Sequence, residues 1–158
     1  MGVRFSRSAV VTGASSGIGL ACALRLAEAG FRVFAGIHRE EPDSLRRLSV
    51  AGLTPMLFDV TDPLSIADAA RSVSHAVGPN GLNILVNNAG MVVPGSLGCL
   101  PIAEIRRQFE VNVFGQLAVT QAFLPLIRIA TGRIVNIGST GGRVAMPFIA
   151  PYNASKFG

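Results

Sequence analysis

The chain has 158 residues, 49% of them apolar and 15% charged, with a formal net charge of +5. That length and composition suffice for one buried core, predict a single domain over 1–158, and exclude a disordered or fibrous chain. Apolar runs are broken by Arg, Asn, Gly or Pro before they reach membrane-span length, no signal-peptide core opens the chain, and the arginines are scattered, so a cytoplasmic protein with no membrane span and no nucleic-acid partner is expected.

Strand and helix signals alternate along the chain. Residues 8 to 12 read as a strand, followed by Thr12-Gly13-Ala14-Ser15-Ser16-Gly17-Ile18-Gly19 and an apolar helical pattern from Ile18 to about Ala29. In that setting the three glycines have separate uses. Gly13 lets the chain turn out of the strand, Gly17 lets backbone approach a pyrophosphate, and Gly19 lets the helix sit close to the sheet. The helix N-terminus then offers unpaired N–H groups to phosphate. Residues 31 to 37 form a second strand, and a short helix over 42–50 leads to a third at Thr54 to Phe58. Asp62 followed by Pro63 starts a helix that runs to about Val77. Gly78 to Gly81 ends it. Ile84-Leu85-Val86 is a fourth strand, with a loop from Asn87 to about Leu100. A long apolar helix is predicted from Ile102 to Ile129, bent at Gly115 and Pro125 and closed by Gly132. Arg133 to Ile137 is a fifth strand. Cys22 and Cys99 have no metal-ligand spacing and are too few for a disulfide framework, so no metal site is expected. The rhythm implies an α/β fold with a doubly wound parallel sheet, which places ligands at the carboxyl ends of its strands.

Those ends carry chemistry. Asp59 follows the third strand, and its carboxylate suits an adenine amino group. Asn87-Asn88-Ala89-Gly90 follows the fourth, combining amides that bond backbone with small residues that leave room. Ser139 follows the fifth, and thirteen residues later comes Tyr152-Asn153-Ala154-Ser155-Lys156. Tyr152 is the only tyrosine, and of the fourteen basic residues all but Lys156 are arginine. A helix here would put both on one face. Bringing a phenol from its ordinary value near ~10 to neutrality takes roughly 4 kcal/mol. An ammonium at ~4 Å supplies about that much at an effective dielectric of ~20.

With these segments the sequence resembles the short-chain dehydrogenase/reductase family over essentially its whole length. Thr12 to Gly19 is similar to the family's T-G-x-x-x-G-x-G loop, Asp59 to its adenine-contacting Asp, and Asn87 to Gly90 to its N-N-A-G segment. Asn112, Ser139, Tyr152 and Lys156 are similar to its catalytic tetrad. The resemblance implies a Rossmann-type NAD(P)-binding fold and hydride transfer between NAD(P) and an alcohol or carbonyl. It implies Tyr152 as general acid/base, Lys156 holding the nicotinamide ribose, Ser139 orienting substrate and Asn112 supporting a water in the proton relay. The cofactor contacts it implies are Gly13, Ser15, Ser16, Gly17, Ile18, Gly19, Asp59, Val60, Asn87, Ala89, Gly90, Tyr152 and Lys156, to which the sequence itself adds His38 and Arg39.

Two departures from the family pattern matter. NAD-preferring members commonly carry an acid at the end of the second strand, where this chain has Ile37 followed by His38 and Arg39. No carboxylate repels a 2′-phosphate there and an arginine can pair with it, which favours NADP, with NAD as the alternative. Family members also continue beyond the position of Gly158 through further strands and a substrate loop. The chain is therefore expected to be truncated on its C-terminal side, the full-length form being a homo-oligomer and the competing function a noncatalytic nucleotide-binding fragment or interaction module. Val92 to Leu100 and Arg143 to Pro151 would wall a pocket for a lipophilic ketone or alcohol.

Overall fold

The computed structural model describes residues 7–39, 42–49 and 52–157. Five parallel strands, β1 (Ser8–Val11), β2 (Arg32–Ile37), β3 (Leu53–Leu57), β4 (Ile84–Asn87) and β5 (Arg133–Asn136), form one sheet in the order β3-β2-β1-β4-β5. Val10 lies opposite Phe34 on one side and Leu85 on the other. The winding reverses between β1 and β4, and this switch point opens a crevice at the strands' carboxyl ends.

The two-residue strand period sorts side chains between two helical layers. Ala9 and Val11, with Val33, Ala35 and Ile37, pack under α1 (Gly17–Glu28) and against Leu48, which follows α2 (Pro42–Arg47). Val10, Phe34 and Leu85 face α3 (Pro63–Val77) and α5 (Gln116–Ile129) on the other side. Ile66, Ala69, Val73 and Val77 form the buried stripe of α3, the helical spacing that covers a sheet. Phe123 of α5 is fully buried, its ring 6.0 Å from that of Phe58. Burying such a side chain contributes about 1.5–3 kcal/mol.

As predicted, Asp62 caps α3, its carboxylate accepting from Leu64 N at 2.9 Å with Pro63 at the first helical position. The outer strands are exposed. Pro55 is paired at the β3 edge, where the missing N–H interrupts no inner ladder.

The long helix runs from Ile102 to Ile129 as expected, with one feature the sequence does not show: it divides into α4 (Ile102–Phe109), a π-helical turn (Glu110–Gly115) and α5. Gly115 admits a neighbour, since a Cβ there would lie 2.7 Å from the Val60 carbonyl. The predicted helix over 42–50 ends at Arg47, and residue 50 lies outside the described residues. At the end of α5 the left-handed residue is Thr131, with φ 49°, rather than Gly132. Gly132 is needed for close approach, since a Cβ there would be 2.7 Å from the Asn83 carbonyl. No helix among the described residues is long and apolar enough to cross a membrane.

Candidate active site

At the head of the crevice, the loop between β1 and α1 is fixed by bonds from the end of β4. Thr12 Oγ1 accepts from the backbone N–H of Asn88 and of Ala89, each at 3.0 Å. Asn88 Nδ2 donates to the carbonyls of Thr12 at 2.9 Å and Gly13 at 3.0 Å. Gly13 has φ 64°, and a Cβ there would come 2.9 Å from Ala89 Cα. Gly19 has no room for a Cβ against the Gly13 carbonyl and the Asn88 amide. Gly17 combines φ 56° with open space on its Cβ side. Ser16, at the N-cap of α1, makes no side-chain cap bond. The helix thus starts with uncapped N–H groups beside an open glycine, a cradle that fits a pyrophosphate.

The crevice encloses about 800 Å³ and spans the switch point. Its β2–β3 end is lined by His38, Asp59 and Val60, its floor by Gly13, Ser15, Ser16, Gly17 and Ile18, and its β4 end by Ala89, Gly90 and Met91. His38 Nδ1 stands 3.5 Å from Asp59 Oδ2. Asp59 Oδ1 accepts from Thr61 N at 2.8 Å and Thr61 Oγ1 at 2.7 Å. Burial pushes the Asp59 carboxyl up, but the two Thr61 bonds and the nearby His38 outweigh it and hold the pKa below the ordinary carboxylate value. Arg39 is exposed and is not part of the crevice lining.

Beyond Gly90 lies α6 (Ala150–Phe157), the predicted helix with Tyr152 and Lys156 one turn apart. Lys156 Nζ donates to the Ile137 carbonyl at 3.1 Å, just past β5. A Cβ on Gly90 would be 3.7 Å from Lys156 Nζ and 3.4 Å from Asn112 Oδ1, so the β4 loop, the π turn and α6 meet at this point. Asn112, Ser155 and Lys156 also line a second cavity of about 220 Å³ against the end of β5. Ser139 Oγ accepts from Gly141 N at 3.0 Å, and Gly141 packs against the Tyr152 ring. The two segments expected to form a wall are joined by a bond from Gly95 N to the Phe148 carbonyl at 2.7 Å. Val92, Leu97, Val144 and Phe148 present exposed apolar surface there, and Phe148 has φ 62°. A bulky residue in that conformation is strained, as is common where function constrains the chain.

Asn87 and Asn88 divide their work in a way the sequence does not show. Asn87 is buried away from the crevice lining, its Nδ2 donating to Thr120 Oγ1 and Asn136 Oδ1, each at 2.9 Å. Adjacent residues at a strand end point to opposite faces, so Asn88, not Asn87, reaches the glycine loop. Sequence reasoning also missed Gln108, fully buried on α4, whose Oε1 accepts from Val93 N at 3.1 Å.

A parallel sheet with this strand order, an uncapped glycine-rich helix start and ligand-sized space at its switch point defines a doubly wound, Rossmann-like α/β protein. The chain belongs to the short chain dehydrogenase family, whose model matches residues 7–158. It is 40% identical over 156 residues to estradiol 17-beta-dehydrogenase 2 of Mus musculus, covering 95% of this chain and 40% of that protein. To an NADPH-dependent 3-dehydrocapnine reductase of Ornithobacterium rhinotracheale it is 36% identical, covering 95% of this chain and 55% of the relative. A short-chain dehydrogenase from Streptomyces avermitilis superposes with a TM-score of 0.85 at 35% identity, covering 96% of this chain and 56% of that one. The chain therefore spans about two-fifths to just over half of these relatives.

Proposed function

We propose that this chain carries the nucleotide-binding and acid/base parts of an NAD(P)-dependent oxidoreductase that interconverts an alcohol and a carbonyl. The observation that carries the reading is the meeting of Lys156, Asn112 and Gly90 at the β4 end of the crevice, with Tyr152 one turn before Lys156. Bound NAD(P) would supply or take up the hydride. Gly13, Ser15, Ser16, Gly17 and Ile18 would hold its pyrophosphate at the start of α1, with Gly19 setting the helix against the loop. Asp59 and Val60 would face the adenine, His38 and Arg39 a 2′-phosphate, and Ala89, Gly90 and Lys156 the nicotinamide ribose.

Tyr152 Oη then takes the proton of a substrate hydroxyl in oxidation and returns one to a carbonyl oxygen in reduction. Lys156 sets a positive charge one turn away on the same helix. Ser139 accepts the Gly141 N–H, leaving its own O–H to donate to the substrate oxygen. With Ile37 where an acid would repel a 2′-phosphate, NADP is the favoured cofactor, a reading supported by the similarity to the NADPH-dependent reductase of Ornithobacterium rhinotracheale. The apolar wall around Phe148 supports a lipophilic small-molecule substrate, in keeping with the steroid named for the mouse relative.

The test is NADPH oxidation with a panel of apolar ketones, steroid ketones included, on the chain extended to the length of its relatives. Turnover should appear with some members of the panel. Tyr152→Phe should abolish it while leaving NADPH affinity within threefold. Retained turnover in Tyr152→Phe would remove the tyrosine from the reaction.

A further inference from the structure

We propose that Gln108 is a positioning residue: together with Asn112 it clamps the loop after β4 at two backbone points and so sets the wall that meets the nicotinamide half of the cofactor. This inference rests on the nucleotide reading of the crevice.

The two side chains stand four residues apart at the junction of α4 and the π turn, and both are buried. Asn112 Oδ1 accepts from Met91 N at 2.8 Å, and its Nδ2 donates to the Met91 carbonyl at 2.9 Å. Gln108 Oε1 accepts from Val93 N at 3.1 Å. Alternate residues of the loop, 91 and 93, are thus pinned to one helix face, while Ala89, Gly90 and Met91 line the crevice. The clamp acts at one end of the crevice only. His38 and Asp59 follow β2 and β3, and the sheet order sets these on the far side of β1 from β4.

The chemistry of the position argues that its acceptor is what matters. Gln108 Nε2 is buried with no protein partner among the described residues. A residue present only to fill space would be apolar and would leave no unpaired donor, a buried state proteins avoid. What Gln108 supplies that Met or Leu would not is the oxygen facing Val93.

The experiment combines amide hydrogen exchange with nucleotide titration on the 158-residue chain and two variants. In the parent, the Val93 amide should be protected. Gln108→Met, which keeps the bulk and removes the oxygen, should speed Val93 exchange at least tenfold while leaving Val10 unchanged. It should weaken NADPH binding about tenfold and leave 2′,5′-ADP, a probe of the adenosine end alone, within twofold. Gln108→Glu at pH 6 keeps an oxygen toward Val93 and should return both readouts to within threefold of the parent. An unprotected Val93 in the parent overturns the clamp whether or not any variant folds. So do unchanged Val93 exchange in Gln108→Met and equal losses of NADPH and 2′,5′-ADP. A parent that binds neither nucleotide sinks the reading of the crevice, and the exchange of Val93 still decides the clamp.

Discussion

Asn112 Nδ2 donates to Ser155 Oγ at 2.9 Å, and Ser155 Oγ donates in turn to the Tyr152 carbonyl at 2.8 Å, tying the π turn to the helix that carries the tyrosine and lysine. Helix α6 has eight residues, too few to persist alone in water. Tertiary bonds hold it: this one, the bond from Lys156 Nζ to the Ile137 carbonyl, and one from Asn153 Nδ2 to the Met146 carbonyl at 3.1 Å. Asn112→Ala leaves Met91 and Ser155 groups without their partner and should destabilise the chain by on the order of 3 kcal/mol. Urea unfolding measures it. A loss below about 0.5 kcal/mol, the lower end for a single hydrogen bond, would show that these bonds do not hold the helix.

The glycine loop makes a graded prediction. At Gly19 a Cβ meets backbone and the Asn88 amide, whereas at Gly17 it meets nothing and only the positive φ is strained. Gly17→Ala should therefore cost about 1–2 kcal/mol, the penalty of a left-handed conformation. Gly19→Ala should cost more and shift the amide signals of Gly13 and Asn88. Gly17→Val should keep the fold and lose NADPH affinity in a fluorescence titration, since its side chain would occupy the approach to the helix start. Parent-like affinity in Gly17→Val would refute the pyrophosphate assignment.

Much of this was legible because local rules and the global fold agree. The Asp62-Pro63 start, the strand–glycine–helix run and the alternation of strands with helices each predict one structure, and they assemble into the expected parallel, doubly wound sheet. The π turn was not legible. Val111-Asn112-Val113 sits in a continuous helical pattern, and the added residue in the turn serves contacts with Met91 and Val60 that no local window contains. Gln108 was hidden for a related reason, its partner being a loop amide fifteen residues earlier. Asn87 and Asn88 are identical letters whose roles part only when the pleat assigns them to opposite faces.

Cofactor choice turns on Arg39. Paired with a 2′-phosphate, it should contribute about 1.5–3 kcal/mol, the range for a charged hydrogen bond. Arg39→Ala should therefore weaken NADPH binding at least tenfold and change NADH binding little. Equal losses for the two nucleotides would exclude the pairing.

The Asp59 carboxyl gives a pH signature. Burial raises its pKa, and the Thr61 N–H and hydroxyl with His38 lower it further than that, for a net value below the ordinary one. A depressed folded pKa stabilises the fold fully above the unfolded value, about 3.9, and the contribution is lost as pH falls through the lowered folded value. Thr61→Val removes one of the lowering bonds and leaves the burial. Its Asp59 pKa, followed by carboxyl carbon NMR, should rise toward the unfolded value, and the stability that Asp59 contributes above that value should shrink, leaving less to lose as pH falls. An unchanged titration would mean that the Thr61 hydroxyl does not hold this carboxylate.

The last prediction concerns β5. It pairs with β4 on one side, from Ile84 opposite Arg133 to Asn87 opposite Asn136, and all four of its residues are exposed. Ile134 and Val135 are 38% and 44% exposed, one on each side of the pleat. An edge that is apolar on both sides and offers open backbone groups is a template for a further strand. β3, at the opposite edge, carries Pro55, which removes one donor from that open edge. Self-association of the 158-residue chain should therefore proceed through β5 rather than β3. Val135→Lys puts a charge on the edge without touching the β4 ladder and should lower the association measured by sedimentation velocity. A matching charge on β3, Thr54→Lys, should change it little. A parent chain that stays monomeric at high concentration, or equal effects of the two lysines, would show that the exposed edge of β5 does not drive association.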